Sequence, residues 1–113
     1  MREKTVLQVV LGALLLVSVA VSAAPSLFWD HIDVGAMSQA ECVGKANGLF
    51  SAEKAGTLTR DEDSVRSWSE HTVGTVECIK KDDGKLIVML LVGSDDASAG
   101  NRLFNALKQG MKP

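Results

Sequence analysis

The sequence has few of the residues that build metal centres and redox sites. Its 113 residues include two histidines and two cysteines, and Cys42 and Cys78 lie too far apart to form a C-x-x-C motif. It also lacks the Gly-Lys-Ser sequence of a phosphate-binding loop, since its glycine-containing segment 93–100 carries Asp95 and Asp96, which would repel an anion. The sequence therefore predicts a protein without enzymatic activity and without a cofactor.

Extended basic patches are absent as well. The chain has 12 basic and 14 acidic residues, a net charge of −2, and its longest basic run is the pair Lys80 and Lys81. Nucleic acids and anionic membrane surfaces attract clustered positive charge. We therefore expect neither of them as a partner.

The N-terminal segment has the composition of a secretory signal peptide. Two basic residues precede an almost entirely apolar stretch over residues 6–21, and small residues around Ala23 match a cleavage site. We predict a signal peptide over residues 1–23, a single mature domain over residues 24–113, and a periplasmic or secreted protein. The alternative is an uncleaved membrane anchor, because the apolar stretch is long enough to span about 30 Å of hydrocarbon.

The two cysteines are predicted to form a disulfide. The mature domain is short, so its hydrophobic core alone gives it marginal stability, and paired cysteines are common in small exported domains. A bond between Cys42 and Cys78 would contribute about 4 kcal/mol by restricting the unfolded chain. A reactive or metal-binding pair is the alternative.

The first half of the mature sequence predicts a strand followed by a helix. Apolar and polar residues alternate over residues 27–34, which is typical of a half-buried strand. Ser38 and Glu41 have the spacing of a capping box, so a helix begins after Ser38. Apolar residues then recur every three or four positions, and Gly56 is expected to cap the end of a helix over residues 39–54.

The second half predicts two more strands joined by a tight turn. Residues 57–63 are polar and lack periodicity, so we expect a loop there, whereas residues 64–80 favour one extended segment with a bulge or bend at Gly74. An Asp-Gly pair follows and predicts a hairpin turn. The next strand, residues 86–92, is apolar at every position and must be interior in its sheet or covered on both faces.

A final helix completes the predicted order β-α-β-β-α. Asp95 or Asp96 caps its N-terminus, and its apolar stripe consists of Leu103, Phe104, Leu107 and Met111. A right-handed crossover then gives an α+β fold, a three-stranded antiparallel sheet with residues 86–92 in the middle and two helices on one face. This is the ferredoxin-like pattern without its final strand.

Several features together resemble a known group of proteins. They are an exported chain with a helix containing Cys42, a strand that runs from Trp68 towards Cys78, an apolar strand that ends at Val92, and a closing helix around Phe104. In this combination the chain resembles small periplasmic proteins of Gram-negative bacteria that are grouped as domains of unknown function. The resemblance implies a periplasmic location and assigns no activity.

The sheet face without helices is the predicted interaction surface. Because every position of residues 86–92 is apolar, either the even-numbered or the odd-numbered side chains point away from the helices. Such a patch usually marks a contact surface, and we predict contact with a second copy of the chain or with an envelope protein. In the alternative, the tryptophans and the stems of Arg66 and Lys85 cover the patch within one molecule. The predicted interface consists of Trp29, Trp68, Ile87, Met89 and Leu91.

We favour a non-enzymatic binding or assembly module, and two other functions stay open. His31 and His71, with Asp33, are candidate metal ligands, which would make this a metal-handling protein. Zinc and copper sites need several converging imidazoles or thiolates, and the predicted disulfide uses both thiols. The other alternative is a small inhibitor or protective binder of the cell envelope, acting through a loop at residues 57–63.

Overall fold

The structure, a computed structural model, describes residues 25–113. The predicted signal peptide, its cleavage site and the alternative membrane anchor lie outside the described residues. Among residues 25–113, no helix is both long enough and apolar enough to cross a membrane.

The described chain forms a five-stranded antiparallel sheet and two α-helices. The strands are β1 (Ser26–Gly35), β2 (Thr57–Arg60), β3 (Ser64–Trp68), β4 (Thr72–Lys80) and β5 (Leu86–Ser94), and the helices are α1 (Gln39–Ala52) and α2 (Ala97–Met111). The strand order in the sheet is β1-β5-β4-β3-β2, and each neighbouring pair is antiparallel. The predicted α+β class with an antiparallel sheet is confirmed.

The predicted three-stranded sheet in the order β-α-β-β-α is wrong, and the truncated ferredoxin-like description does not apply. The predicted loop after α1 begins with β2, and the extended segment 64–80 is divided into β3 and β4. Two tight turns cause the difference: Asp61 N–H donates to the Ser64 carbonyl at 2.9 Å, and Ser69 N–H donates to the Thr72 carbonyl at 2.8 Å. In consequence β4 is the middle strand, and β5 lies between β1 and β4.

Gly74 is a regular position of β4 and not the predicted bulge. It pairs with Ser67 on one side and with Val92 on the other. A Cβ at Gly74 would lie 2.8 Å from the Phe50 ring and 2.9 Å from Ser67 Oγ, so the missing side chain allows α1 to pack closely on the sheet. The Ser67 hydroxyl is buried at this contact with no hydrogen-bond partner among the described residues.

The start of α1 follows its sequence signal, whereas its end does not. Ser38 Oγ accepts a hydrogen bond from Glu41 N–H at 3.1 Å and donates one to the Glu41 carboxylate at 3.2 Å. The helix ends earlier than predicted because Lys54, with a φ of 52°, turns the chain. Gly56 has a different role: at its φ of 103° any Cβ would collide with the Trp68 carbonyl.

Both helices pack on the same face of the sheet. Asp96 caps α2 by accepting hydrogen bonds from Ser98 N–H and Ala99 N–H, each at 3.1 Å, and Gly110 of α2 lies against the Leu49 side chain of α1. The core between helices and sheet contains Val34, Val65, Val76, Leu86, Val88, Leu90 and Val92 from the strands, and Val43, Ala46, Phe50, Leu103, Leu107 and Met111 from the helices.

A disulfide between Cys42 and Cys78 joins α1 to β4, which confirms the predicted bond. The two Cα atoms are 6.2 Å apart, and both cysteines are buried. Beside the bond, Gln39 Nε2 donates to the Cys78 carbonyl at 2.8 Å. Neither thiol is free to react or to bind a metal, and the bond is consistent with an oxidising compartment.

Candidate interaction surface

The sheet face opposite the helices is covered by no element of residues 25–113, and we call it the open face. In β5 the even-numbered residues, including Leu90, belong to the core and are 0–2% exposed. Because side chains alternate along a strand, the odd-numbered residues point to the open face. The structure therefore places Ile87, Met89 and Leu91 on the open face. The sequence left open whether the even-numbered or the odd-numbered side chains point away from the helices, and the structure shows that the odd-numbered ones do.

Strand register arranges the open-face side chains in four rows that cross the sheet. The rows are row A (Leu27, Gly93, Val73, Trp68, Thr57), row B (Trp29, Leu91, Thr75, Arg66, Thr59), row C (His31, Met89, Glu77, Ser64) and row D (Asp33, Ile87, Ile79). Neighbouring Cβ atoms within a row are about 5 Å apart. The side chains of each row are therefore in contact range, and the rows form one continuous surface.

The open face carries every exposed large hydrophobic side chain of residues 25–113. Trp29 is 68% exposed and Leu91 is 45% exposed. Soluble monomeric proteins rarely expose a large contiguous apolar patch, and patches of that kind usually mark interaction sites. The full set is Leu27, Trp29, Trp68, Val73, Ile79 and Leu91.

The five residues predicted as an interface lie together on this face. Trp29, Trp68 and Leu91 are exposed, whereas Ile87 and Met89 are partly buried between their neighbours in rows D and C. Both tryptophans are themselves exposed, so they add apolar area to this surface.

Row A shows how the apolar surface continues across the sheet. Gly93 has no side chain, and a Cβ there would contact Leu27 and Val73, each at 3.4 Å. The Leu27 and Val73 side chains therefore approach each other above β5. Trp68 extends the same row onto β3.

A shallow depression of about 430 Å³ lies in the middle of the open face. It opens to solvent and has mostly apolar walls, with Thr75 and Glu77 as its polar residues. A wide, shallow shape of this kind suits side chains of another protein, whereas small ligands are usually enclosed more deeply. Its lining includes Trp29, Thr75, Glu77, Ile79, Met89 and Leu91.

Ion pairs hold the outer strand β1 in place. Lys81 Nζ lies 3.0 Å from Asp33 Oδ1, and this hydrogen bond raises the pKa of Lys81. On the helix side of the sheet, Lys108 Nζ of α2 lies 2.9 Å from Asp30 Oδ2, and the hydrogen bond lowers the pKa of Asp30. β1 is thus tied to the β4–β5 turn and to α2.

The candidate metal ligands do not converge. His31 lies in row C on β1, whereas His71 lies in the turn between β3 and β4. His71 Nδ1 is 2.9 Å from Asp95 Oδ2, which raises the pKa of His71, and Asp33 is paired with Lys81. Within residues 25–113 no group of three or more His, Cys, Asp or Glu side chains could hold a metal ion.

The polar groups around His71 have a structural role. Thr72 Oγ1 and Ser94 Oγ are 2.8 Å apart, and Ser94 Oγ also donates to the His71 carbonyl at 3.1 Å. Asp96 N–H in turn donates to Ser94 Oγ at 3.1 Å. These bonds attach the β3–β4 turn to the segment that leads into α2.

Sequence reasoning missed three of the six exposed hydrophobic side chains of the open face. Leu27 had a readable signal, because it has the same parity as Trp29 in the alternating pattern of β1. Val73 and Ile79 could be assigned only after β4 was recognised as a separate strand with its own register.

No protein-family model and no curated protein matches this sequence.

Proposed function

We propose that this protein is a non-enzymatic binding module of the cell envelope that binds another protein molecule through the open face. The observation that carries the proposal is the location of all exposed large hydrophobic side chains of residues 25–113 on that one face. The helix-covered face and the outer surfaces of α1 and α2 have none.

The composition of the open face suits a protein contact. Burial of a Leu, Val or Ile side chain contributes about 1.5–3 kcal/mol, and Trp is enriched among residues that dominate binding energy. Trp29 and Trp68 supply two such anchors in different rows. Covering the open face would therefore stabilise a complex.

Two independent features support a location in the periplasm. The Cys42–Cys78 bond fits an oxidising compartment, and the apolar N-terminal segment is typical of an export signal. The alternative of an inhibitor with a mobile loop finds less support, because half of its expected loop forms β2.

Site-specific photocrosslinking in living cells tests the proposal. The full-length chain would be expressed with a photoreactive amino acid at Leu91 on the open face. The matched control carries the same amino acid at Gln109, an exposed position of α2 on the opposite side of the molecule. We expect a crosslinked protein adduct from position 91 and none from position 109.

Two results would count against the proposal. Failure to form any adduct from position 91 in a folded, disulfide-bonded protein would mean that the open face is free in the cell. Equal adducts from both positions would indicate non-specific contacts.

A further inference from the structure

We infer that the molecule on the open face is a second copy of this chain, packed face to face about a two-fold axis. The inference rests on the proposed function and names its partner. It is carried by the size of the open face and by the order of its four rows.

The open face has the size of a stable dimer interface. Five strands about 4.8 Å apart give a width of about 24 Å, and the nine residues of β4 and of β5 give a length of about 30 Å. Because β2 and β3 contain only 4 and 5 residues, the 37 strand residues together cover about 590 Å² at about 16 Å² each. This area is close to the lower end of the about 600–1,000 Å² that each partner contributes to a standard interface. A single helix, about 10 Å wide, would leave more than half of the width uncovered.

The rows are complementary to themselves when two copies meet with antiparallel strands. The two-fold axis lies between the two faces, runs perpendicular to the strands and passes between rows B and C. Row A of one copy then covers row D of the other copy, and row B covers row C. Leu91 then faces Met89 of the second copy, and Val73 faces Ile79. Gly93, flanked by the Leu27 and Val73 side chains, faces Ile87 of the second copy.

Two charged side chains of the open face, Arg66 and Glu77, are complementary in the same arrangement. Arg66 of β3 lies in row B beside Thr75 of β4. Glu77 also belongs to β4 and lies in row C. When row B covers row C, Glu77 of the second copy lies over Thr75 and next to Arg66. Two symmetric ion pairs result, and Asp33 stays with Lys81 of its own chain.

Charge reversal combined with sedimentation equilibrium tests this arrangement. The protein would be purified after export, with the disulfide intact. Standard interfaces span Kd values from about µM to pM, and we expect this dimer at the weak end of that range, about 1 µM. We expect Arg66→Glu and Glu77→Arg each to weaken the dimer at least about tenfold, because each puts like charges together. The double variant Arg66→Glu/Glu77→Arg should restore the wild-type Kd within about threefold.

Controls separate dimer loss from misfolding. Gln109→Lys, on the helix layer, should leave the Kd unchanged, and far-ultraviolet circular dichroism should show that all variants keep their secondary structure. A wild-type protein that stays monomeric at about 100 µM would overturn the inference. So would a double variant that dimerises no better than the single ones.

The two proposals can fail separately. If position 91 crosslinks in cells to a protein whose adduct does not have twice the mass of this chain, binding through the open face stands and the second copy is excluded. If position 91 gives no adduct, both proposals fail.

Discussion

The two faces of the sheet are built by the same strands and differ in what covers them. In β5, Leu90 is 1% exposed beneath the helices, whereas its neighbour Leu91 is 45% exposed on the open face. The two side chains have the same hydrophobicity. The comparison shows that apolar composition predicts burial of the strand, while only the position of the helices decides which half of its side chains forms the core.

The two faces also differ in how tightly they are packed. On the covered face a Cβ at Gly74 would meet the Phe50 ring at 2.8 Å, whereas on the open face a Cβ at Gly93 would meet Leu27 and Val73 at 3.4 Å, an ordinary contact distance. The covered face thus has no room for an added methyl group. The following predictions test this contrast, each at a protein concentration where the chain is monomeric.

Loss of the disulfide should have the largest effect, because it releases α1 from the covered face. We expect Cys42→Ala/Cys78→Ala to lower the free energy of unfolding by about 4 kcal/mol, measured by urea denaturation. Wild-type protein in reductant should behave in the same way. A loss below about 1 kcal/mol would show that the bond contributes little to holding the helix on the sheet.

Neighbouring leucines of β5 should respond differently to truncation. Leu90→Ala should lower the free energy of unfolding by about 3 kcal/mol, because it leaves a cavity in the core. Leu91→Ala should cost less than about 1 kcal/mol in the monomer. Urea denaturation of the pair measures the contrast directly, and equal losses would mean that the open face is packed within the monomer.

A matched pair of glycine substitutions tests packing. Gly74→Ala should destabilise the protein by about 2 kcal/mol, since its methyl group would overlap Phe50 and Ser67. Gly93→Ala should be neutral or stabilise by up to about 1 kcal/mol, because alanine restricts the unfolded chain and fits the available space. Urea denaturation measures the free energy of unfolding of both variants. A Gly74→Ala variant as stable as the wild type would contradict the close contact with α1.

The smallest effect concerns His71, at the end of the sheet near row A. Its hydrogen bond to Asp95 raises its pKa above the ordinary value of 6.5, so the charged imidazole favours the folded state. This contribution is complete below pH 6.5 and is lost as the pH rises through the folded-state pKa. In Asp95→Asn the pKa of His71 should fall towards 6.5, as measured by NMR titration of the imidazole protons. An unchanged midpoint would mean that the carboxylate does not hold the ring in solution.

Local signals predicted the parts of the fold that local chemistry determines. The cap at Ser38, an aspartate cap at Asp95 or Asp96, and the apolar run of β5 were readable because each depends on residues a few positions apart, and the structure assigns the second cap to Asp96. The pairing of Cys42 with Cys78 was readable because no other cysteine exists.

The rest depends on contacts between distant residues. β2 is short and polar, so its sequence has no alternation, and it becomes a strand by pairing with β3. Trp29 and Trp68 could be predicted as interface residues from the sequence, and that role stays a prediction. Their placement in rows B and A, and the addition of Val73 and Ile79, required the strand register, which no single segment encodes.

The pairing of β1 with β5 has a consequence for the order of folding. β1 begins at Ser26 and is made first, whereas its strand partner in the described chain ends at Ser94. A chain that emerges from a ribosome or a translocation channel N-terminus first therefore exposes the core-facing side chains of β1, Phe28, Ile32 and Val34, until almost all of the domain has appeared. Closing the sheet is a late, long-range event. A pause in synthesis or export before β5 would leave β1 unpaired, with its apolar side chains available for aggregation.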